Sequence, residues 1–202
     1  MWDQRYSEPG YAYGKDPNDF LKAEYDRIPT GGRVLCLAEG EGRNAVFLAM
    51  QGYTVTAVDQ SAVGLQKAKN LAAENNVEIK TVVADLADYD LGSQVWDGIV
   101  SISAHVPPLL RKQLHAKVIN SLKVDGVFIL EAFSERHLEM NGIGGPPASQ
   151  KELYMSLDKL KVELKGLDFV IGAEVEKTLS AGAYHQGEAA VVQIVAHKRA
   201  NS

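Results

Sequence analysis

Short continuous apolar runs alternate with segments of helical period along most of the chain, and that alternation limits the folds open to it. The runs are RVLCLA (33–38), YTVTAVD (53–59), VEIKTVVAD (77–85), VWDGIVSIS (95–103) and DGVFILEAF (125–133). Helical segments separate most of them: RNAVFLAMQG (43–52), SAVGLQKAKNLAAENN (61–76) and PPLLRKQLHAKVINSL (107–122). Strands alternating with helices predict an α/β fold with a mostly parallel sheet and helices on both faces. A further helix is expected over 149–164, capped by Ser149, followed by two strands, 169–179 and 188–198. Too few residues join those last strands to hold a helix. They are predicted to pair antiparallel, giving seven strands with one reversed strand near the edge.

The first residues read differently. Residues 1–15 are aromatic and turn-rich, with Trp2, Tyr6, Tyr11 and Tyr13 among Pro9, Gly10 and Gly14. A helix is expected to follow, capped by Asp16 with Pro17 at its first position. The expected organisation is a single domain: an N-terminal lid and helix over 1–30 and an α/β core over 31–202. Net charge is −5 with no basic run, which speaks against nucleic acid. No apolar run is long enough for a membrane span, and MWDQRYSEPG lacks the apolar stretch of a signal peptide. With a single cysteine, Cys36, the expected location is the cytoplasm. The sequence leaves monomer and dimer open.

The first strand runs into the turn AEGEG (38–42). Ligands of open α/β sheets bind beyond the carboxyl ends of the strands, so this turn is the candidate site. Gly40 and Gly42 let backbone amides approach a ligand closely. The spacing GEGRNA fits a dinucleotide pattern loosely, and Asp59, 19 residues after Gly40, can accept ribose hydroxyls. Those residues indicate adenosine without choosing between a dinucleotide and S-adenosylmethionine. Glu39 and Glu41 would repel a pyrophosphate but tolerate a sulfonium. Asp85 suits the exocyclic amine of adenine, with Leu86 against the ring. The closing antiparallel pair is also unusual for a dinucleotide domain.

The ordered set WDQRY, YAYGKDPNDFL, LCLAEGEGRNAVFLA, VTAVDQS, ADL, WDGIVSI and LKVDGVFILEAF resembles class I S-adenosylmethionine-dependent methyltransferases. Within that family it is similar to the tellurite-resistance, TehB-like branch. The resemblance runs over residues 2–198 and implies a Rossmann-like fold, the cofactor S-adenosyl-L-methionine and the product S-adenosyl-L-homocysteine. It also implies a small acceptor, down to a thiol or a species derived from a chalcogen oxyanion. By the same resemblance Ala38, Glu39, Gly40, Gly42 and Asn44 cradle the methionine and ribose end. Asp59 binds the ribose hydroxyls with Gln60 and Ser61 alongside, and Asp85 and Leu86 frame the adenine. Ser101 and Ile102 line the methionine end, and Arg5 and Tyr13 close over the carboxylate and sulfonium. The chain departs from the common pattern at Cys36 and Ala38, where an acid and a glycine are usual. Glu39 is then expected to take over a role usually held elsewhere.

Of the five histidines, His105 and His185 are expected on the ligand side, as candidate catalytic bases or hydrogen-bond donors. His115 is expected on the surface. The spacing of His105, His137 and His185 matches no standard motif, so no metal is expected. The Gly/Pro loop 134–148 is expected to be a substrate-side lid. Two rival functions stay open: a cofactor-binding sensor or scaffold without turnover, and a dinucleotide-dependent oxidoreductase.

Overall fold

The computed structural model describes residues 1–200. Its strands are β1 (Arg33–Leu37), β2 (Thr54–Asp59), β3 (Lys80–Val83), β4 (Trp96–Ile102), β5 (Leu122–Phe133), β6 (Asp168–Ala181) and β7 (His185–His197). They form one sheet in the order β3-β2-β1-β4-β5-β7-β6. The pairs from β3 to β5 are parallel, while β7 runs antiparallel to both β5 and β6. The single reversed strand is therefore β7, next to the edge, as the short connection before it requires. Because β6 keeps the direction of β5, the β6–β7 turn emerges on the same rim as the carboxyl ends of β1, β2, β4 and β5.

The helices are α1 (Trp2–Tyr6), α2 (Asp19–Glu24), α3 (Arg43–Met50), α4 (Ala62–Glu74), α5 (Pro108–Ser121) and α6 (Leu157–Glu163). Period-2 alternation along the strands divides the core between the two faces. Leu35, Leu37, Ile99, Phe128 and Leu130 pack with Leu114 and Val118 of α5 and Leu160 of α6. Their neighbours Val34, Cys36, Val100, Val127 and Ile129 pack with Leu21 of α2, Ala45 and Leu48 of α3 and Leu65 of α4. Cys36 is fully buried among them.

Four expectations are corrected. Residues 2–6 form a helix where only turns were expected. The cap of α2 is Asn18, whose side chain accepts the amide of Leu21, and not Asp16. The helix expected over 149–164 begins only after Ser156, because Tyr154 and Met155 are buried and Met155 pairs its amide with the Phe133 carbonyl. His115 is 2% exposed and not on the surface, since Glu163 of α6 reaches its Nδ1 at 2.7 Å. The same carboxylate accepts from Arg111, and these contacts hold the Glu163 pKa down to about 2 against the upward pull of burial.

Candidate active site

The turn after β1 is held by its own carboxylates. Glu39 folds back onto the start of α3, where its Oε1 accepts the amides of Asn44 (3.0 Å) and Ala45 (2.7 Å). The cap residue Gly42 has no side chain to do this, so Glu39 supplies the acceptor oxygen. It is only 9% exposed, and burial pushes its pKa up to about 7, opposed by the Ala45 amide and by Arg43. Glu41 turns the other way. Its Oε2 accepts the amide of Ala12 at 2.7 Å, and its Oε1 pairs with Lys67 at 2.9 Å. Lys67 also donates to the carbonyls of Glu8 and Gly10. One glutamate thus caps a helix and the other fastens the N-terminal strap. Glu39 was expected at the cofactor; its Oε1 holds the head of α3.

Asp59 ends β2 where its carboxylate meets the turn. Oδ2 accepts the Gly40 amide and Oδ1 the Ser61 amide, each at 2.8 Å. Burial raises its pKa, and those amides oppose the rise. A carboxylate has about four lone-pair sites, so acceptor capacity remains for hydroxyl groups. Gly40 (φ +61°) and Gly42 (φ +91°) both sit in the left-handed region. A Cβ on Gly40 would lie 2.5 Å from the Tyr6 hydroxyl, and one on Gly42 would lie 2.5 Å from the Ala68 Cβ. The glycines are therefore required by internal contacts with Tyr6 and Ala68, and the turn they form lies against the fixed Asp59 carboxylate. Ala38 also has positive φ (+49°), at the position where the usual pattern has glycine.

The other predicted residues are placed as follows. Ser61 caps α4 through the Gly64 amide and bonds to Asp3, while Gln60 is exposed beside it. Asp85 lies past β3 in an exposed turn, accepting the Ala87 amide at 2.9 Å. Leu86 is buried in the core, with Ala38 packed against the same cluster. Asn44 is buried, its Oδ1 accepting the Asn18 amide at 2.8 Å. Ser101 and Ile102 lie within β4 and are buried. Ser103, the residue beyond the strand, reaches the cavity described next.

That cavity, of about 170 Å³, opens at the ends of β4 and β5. Tyr13, Asn18, Arg43, Ser103, Glu131 and His185 are among its walls. Asn18 donates from Nδ2 to Glu131 at 2.7 Å, and Glu131 also accepts from Lys177 and Gln193. Sequence reasoning missed Asn18, Arg43, Ser103, Glu131 and Lys177. The first three stand directly in or after segments already singled out; Glu131 and Lys177 come together only through the sheet. Residues 134–148 do not line the cavity: Ile143 is tied to Gln186 by two backbone bonds. The roof comes instead from the N-terminal strap and the β6–β7 turn, joined by the Ala183 amide on the Ala12 carbonyl at 3.1 Å.

His105 and His185 both pack against Phe133, with ring centroids 5.8 and 5.3 Å away. They differ in chemistry. His105 donates from Nδ1 to the Leu153 carbonyl (2.9 Å) and accepts at Nε2 from the Phe133 amide (3.2 Å). Both nitrogens are used, and burial lowers its pKa to about 4. The ring of His185 faces Tyr13 at 4.5 Å, and among the described residues its nitrogens have no hydrogen-bond partner. Burial, and then Arg43, lower its pKa to about 3. Arg5 bonds the Tyr13 hydroxyl at 3.0 Å and stacks over the rings of Tyr184 and Trp2.

Comparison with known proteins gives a domain match and a shared fold. Residues 34–126 match the family described as methyltransferase domain. Over 188 residues the chain is 28% identical to an uncharacterized methyltransferase of Synechocystis sp., covering 90% of this chain and 84% of that one. It is 28% identical over 101 residues to the carboxy-S-adenosyl-L-methionine synthase of Nautilia profundicola, covering 48% of this chain. That match spans only 43% of the synthase. The fold is that of TehB from Haemophilus influenzae, at TM-score 0.71 and 20% identity, over 90% of this chain and 62% of that one. The chain thus carries a match to a methyltransferase domain over residues 34–126 on a fold shared with solved methyltransferase structures, and the glycine turn and Asp59 suit the cofactor S-adenosylmethionine. No helix among the described residues is long and apolar enough to cross a membrane.

Proposed function

We propose that the chain transfers the methyl group of S-adenosylmethionine to a small, soft nucleophile: a thiol, or a reduced species derived from a chalcogen oxyanion. The observation that carries this reading is that neither candidate histidine is suited to take a proton, while the Glu131 carboxylate in the cavity wall is already paired with Lys177. His105 has no free nitrogen, and His185 stays unprotonated down to about pH 3, which makes it a poor proton acceptor. An alcohol or amine acceptor needs its proton taken; a thiol supplies a nucleophilic thiolate fraction by itself near neutral pH. The neutral His185 ring is suited to orient the acceptor. When bound, the cofactor supplies an electrophilic methyl group on a sulfonium.

The chain's own residues supply position. Asp59, fixed by two amides, would hold the ribose hydroxyls, and the strap carrying Tyr13 would exclude water. The dinucleotide alternative loses support because Glu39 already occupies the α3 amides that a pyrophosphate would use. The tellurite-resistance branch stays a finer proposal, supported by the sequence resemblance and by the TehB fold likeness.

The test is formation of S-adenosylhomocysteine with a panel of small thiols, reduced selenium species, phenols and amines. Turnover confined to the thiols and chalcogen species is expected. Turnover with phenols or amines alone would sink the soft-acceptor reading. Binding of the cofactor without turnover on any acceptor would favour a sensor.

A further inference from the structure

Buried polar groups ordinarily have a hydrogen-bond partner, yet the ring nitrogens of His185 have none among the described residues, although the residue is only 7% exposed. His185 stands at the start of β7 and borders the cavity. The rings of Tyr13 and Phe133 pack against it, at 4.5 and 5.3 Å. Ser103 enters the same cavity from the other side of β5, the strand that separates β4 from β7. Its φ is +55°, in the left-handed region that a serine seldom takes, and its amide is held by the Glu131 carbonyl at 2.8 Å. The Ser103 hydroxyl has no partner among the described residues either. Their neighbours are spent: Asn18 and Lys177 bond to Glu131, and the Tyr13 hydroxyl accepts from Arg5. His185 and Ser103 therefore offer open hydrogen-bonding capacity on either side of the β5 end.

Burial and then Arg43 lower the His185 pKa to about 3, so the ring is neutral, with one N–H donor and one bare nitrogen. The serine hydroxyl likewise donates and accepts. The complement of such a pair is another hydroxyl. A formal charge fits less well, because Asp16, Asp19 and Glu131 line the cavity against a carboxylate, and Arg43 and Lys177 against an ammonium. We propose that His185 and Ser103 select the acceptor, and that the acceptor is a small thiol with an uncharged hydroxyl beside its sulfur. This rests on the soft-acceptor reading above and narrows it. The hydroxyl would bridge the imidazole and Ser103, leaving the sulfur free to react. The thiol proton goes to solvent. The thiolate then forms the new bond to the methyl carbon as the methyl–sulfonium bond breaks, and that electron pair stays on the departing sulfur of S-adenosylhomocysteine.

Formation of S-adenosylhomocysteine tests this with two acceptors of similar size, 2-mercaptoethanol and 1-propanethiol, each rate referred to the thiolate present. Wild type is expected to prefer 2-mercaptoethanol by at least about tenfold in kcat/KM, the scale of a polar pair left unmet. His185→Phe keeps a ring at the site and should bring the preference below about threefold, and Ser103→Ala should lower it in the same direction. His185→Gln restores a hydrogen-bonding group and should recover part of the preference. A packing role alone would slow both acceptors together and leave their ratio. Should His185→Phe not fold, His185→Leu and Ser103→Ala carry the same ratio. No preference in wild type, a preference untouched by the substitutions, or faster turnover of mercaptoacetate or cysteamine would overturn the assignment. Turnover of no thiol by cofactor-bound protein would instead overturn the soft-acceptor reading, and the assignment with it.

Discussion

Ala38 adopts φ +49°, which costs an L-residue roughly 1 kcal/mol and glycine nothing of that kind. Ala38→Gly should therefore raise stability by up to about 1 kcal/mol in a denaturant titration, where an ordinary Ala→Gly change would lower it by a similar amount. A loss would show that the strain is absorbed elsewhere. The next residue, Glu39, titrates against folding. Its pKa moves from 4.5 to about 7, so the folded chain keeps a proton that the unfolded chain has released. The resulting stability is fully present below 4.5 and is lost as pH rises through about 7. Glu39→Gln keeps an oxygen for the two amides without the charge. Both proteins share the rise in stability with pH that the lowered pKa values of His105 and His185 impose, so the expected signal is the difference: the variant's melting temperature should gain on the wild type between about pH 5 and pH 8. A pH-independent difference between the two proteins would mean that Glu39 does not titrate in this window. At the residue scale the sequence showed that Glu39 and Glu41 flank Gly40 but not what they bond: Glu39 accepts amides of α3 and Glu41 the amide of Ala12 in the strap, because those donors lie nearest within the chain.

At the scale of elements, α1 is too short to persist alone, with five residues and no side-chain cap. It exists because Trp2 and Tyr6 stack on one another and Tyr6 packs over Gly40 and Gly64. Spacing of i and i+4 was its available signal, obscured by the glycines and prolines that follow. Tyr6→Ala should release the strap. Hydrogen exchange should rise over residues 2–12 and spare the sheet, since a terminal segment can detach without opening the core. Uniform loss of protection would mean that α1 belongs to the cooperative unit. The seven strands and the reversed strand were legible, because buried strands carry continuous apolar runs and short connections force antiparallel pairing. The break before α6 was not legible, since burial of Tyr154 and Met155 against the sheet overrides local helical period. Nor was the burial of His115, whose partner Glu163 lies 48 residues away. The glycine turn and Asp59 could be found from local spacing; the cavity wall of Glu131 and Lys177 depends on strand order.

Across the whole molecule, one set of side chains links the turn after β1 to the far side of the sheet. Asn44 accepts from the Asn18 backbone, Asn18 donates to Glu131, and Glu131 receives Lys177 and Gln193. Glu131→Ala would leave the partly buried Lys177 ammonium unpaired, and a loss on the order of 3 kcal/mol is expected in equilibrium unfolding. A change below about 0.5 kcal/mol, the usual size for a surface site, would deny the network its structural role. The same molecule-wide arrangement governs the response of turnover to pH. With His105 engaged and His185 unprotonated above about pH 3, neither histidine should titrate across the working range. Rate should rise with pH along the ionisation of the acceptor, moving when thiols of different pKa are compared. Glu39 also titrates near 7, so the profile is best measured in wild type and in Glu39→Gln together. An inflection that vanishes in the variant belongs to Glu39. One that persists in both proteins, and stays fixed while the acceptor pKa changes, would identify a protein base and exclude a self-ionising acceptor.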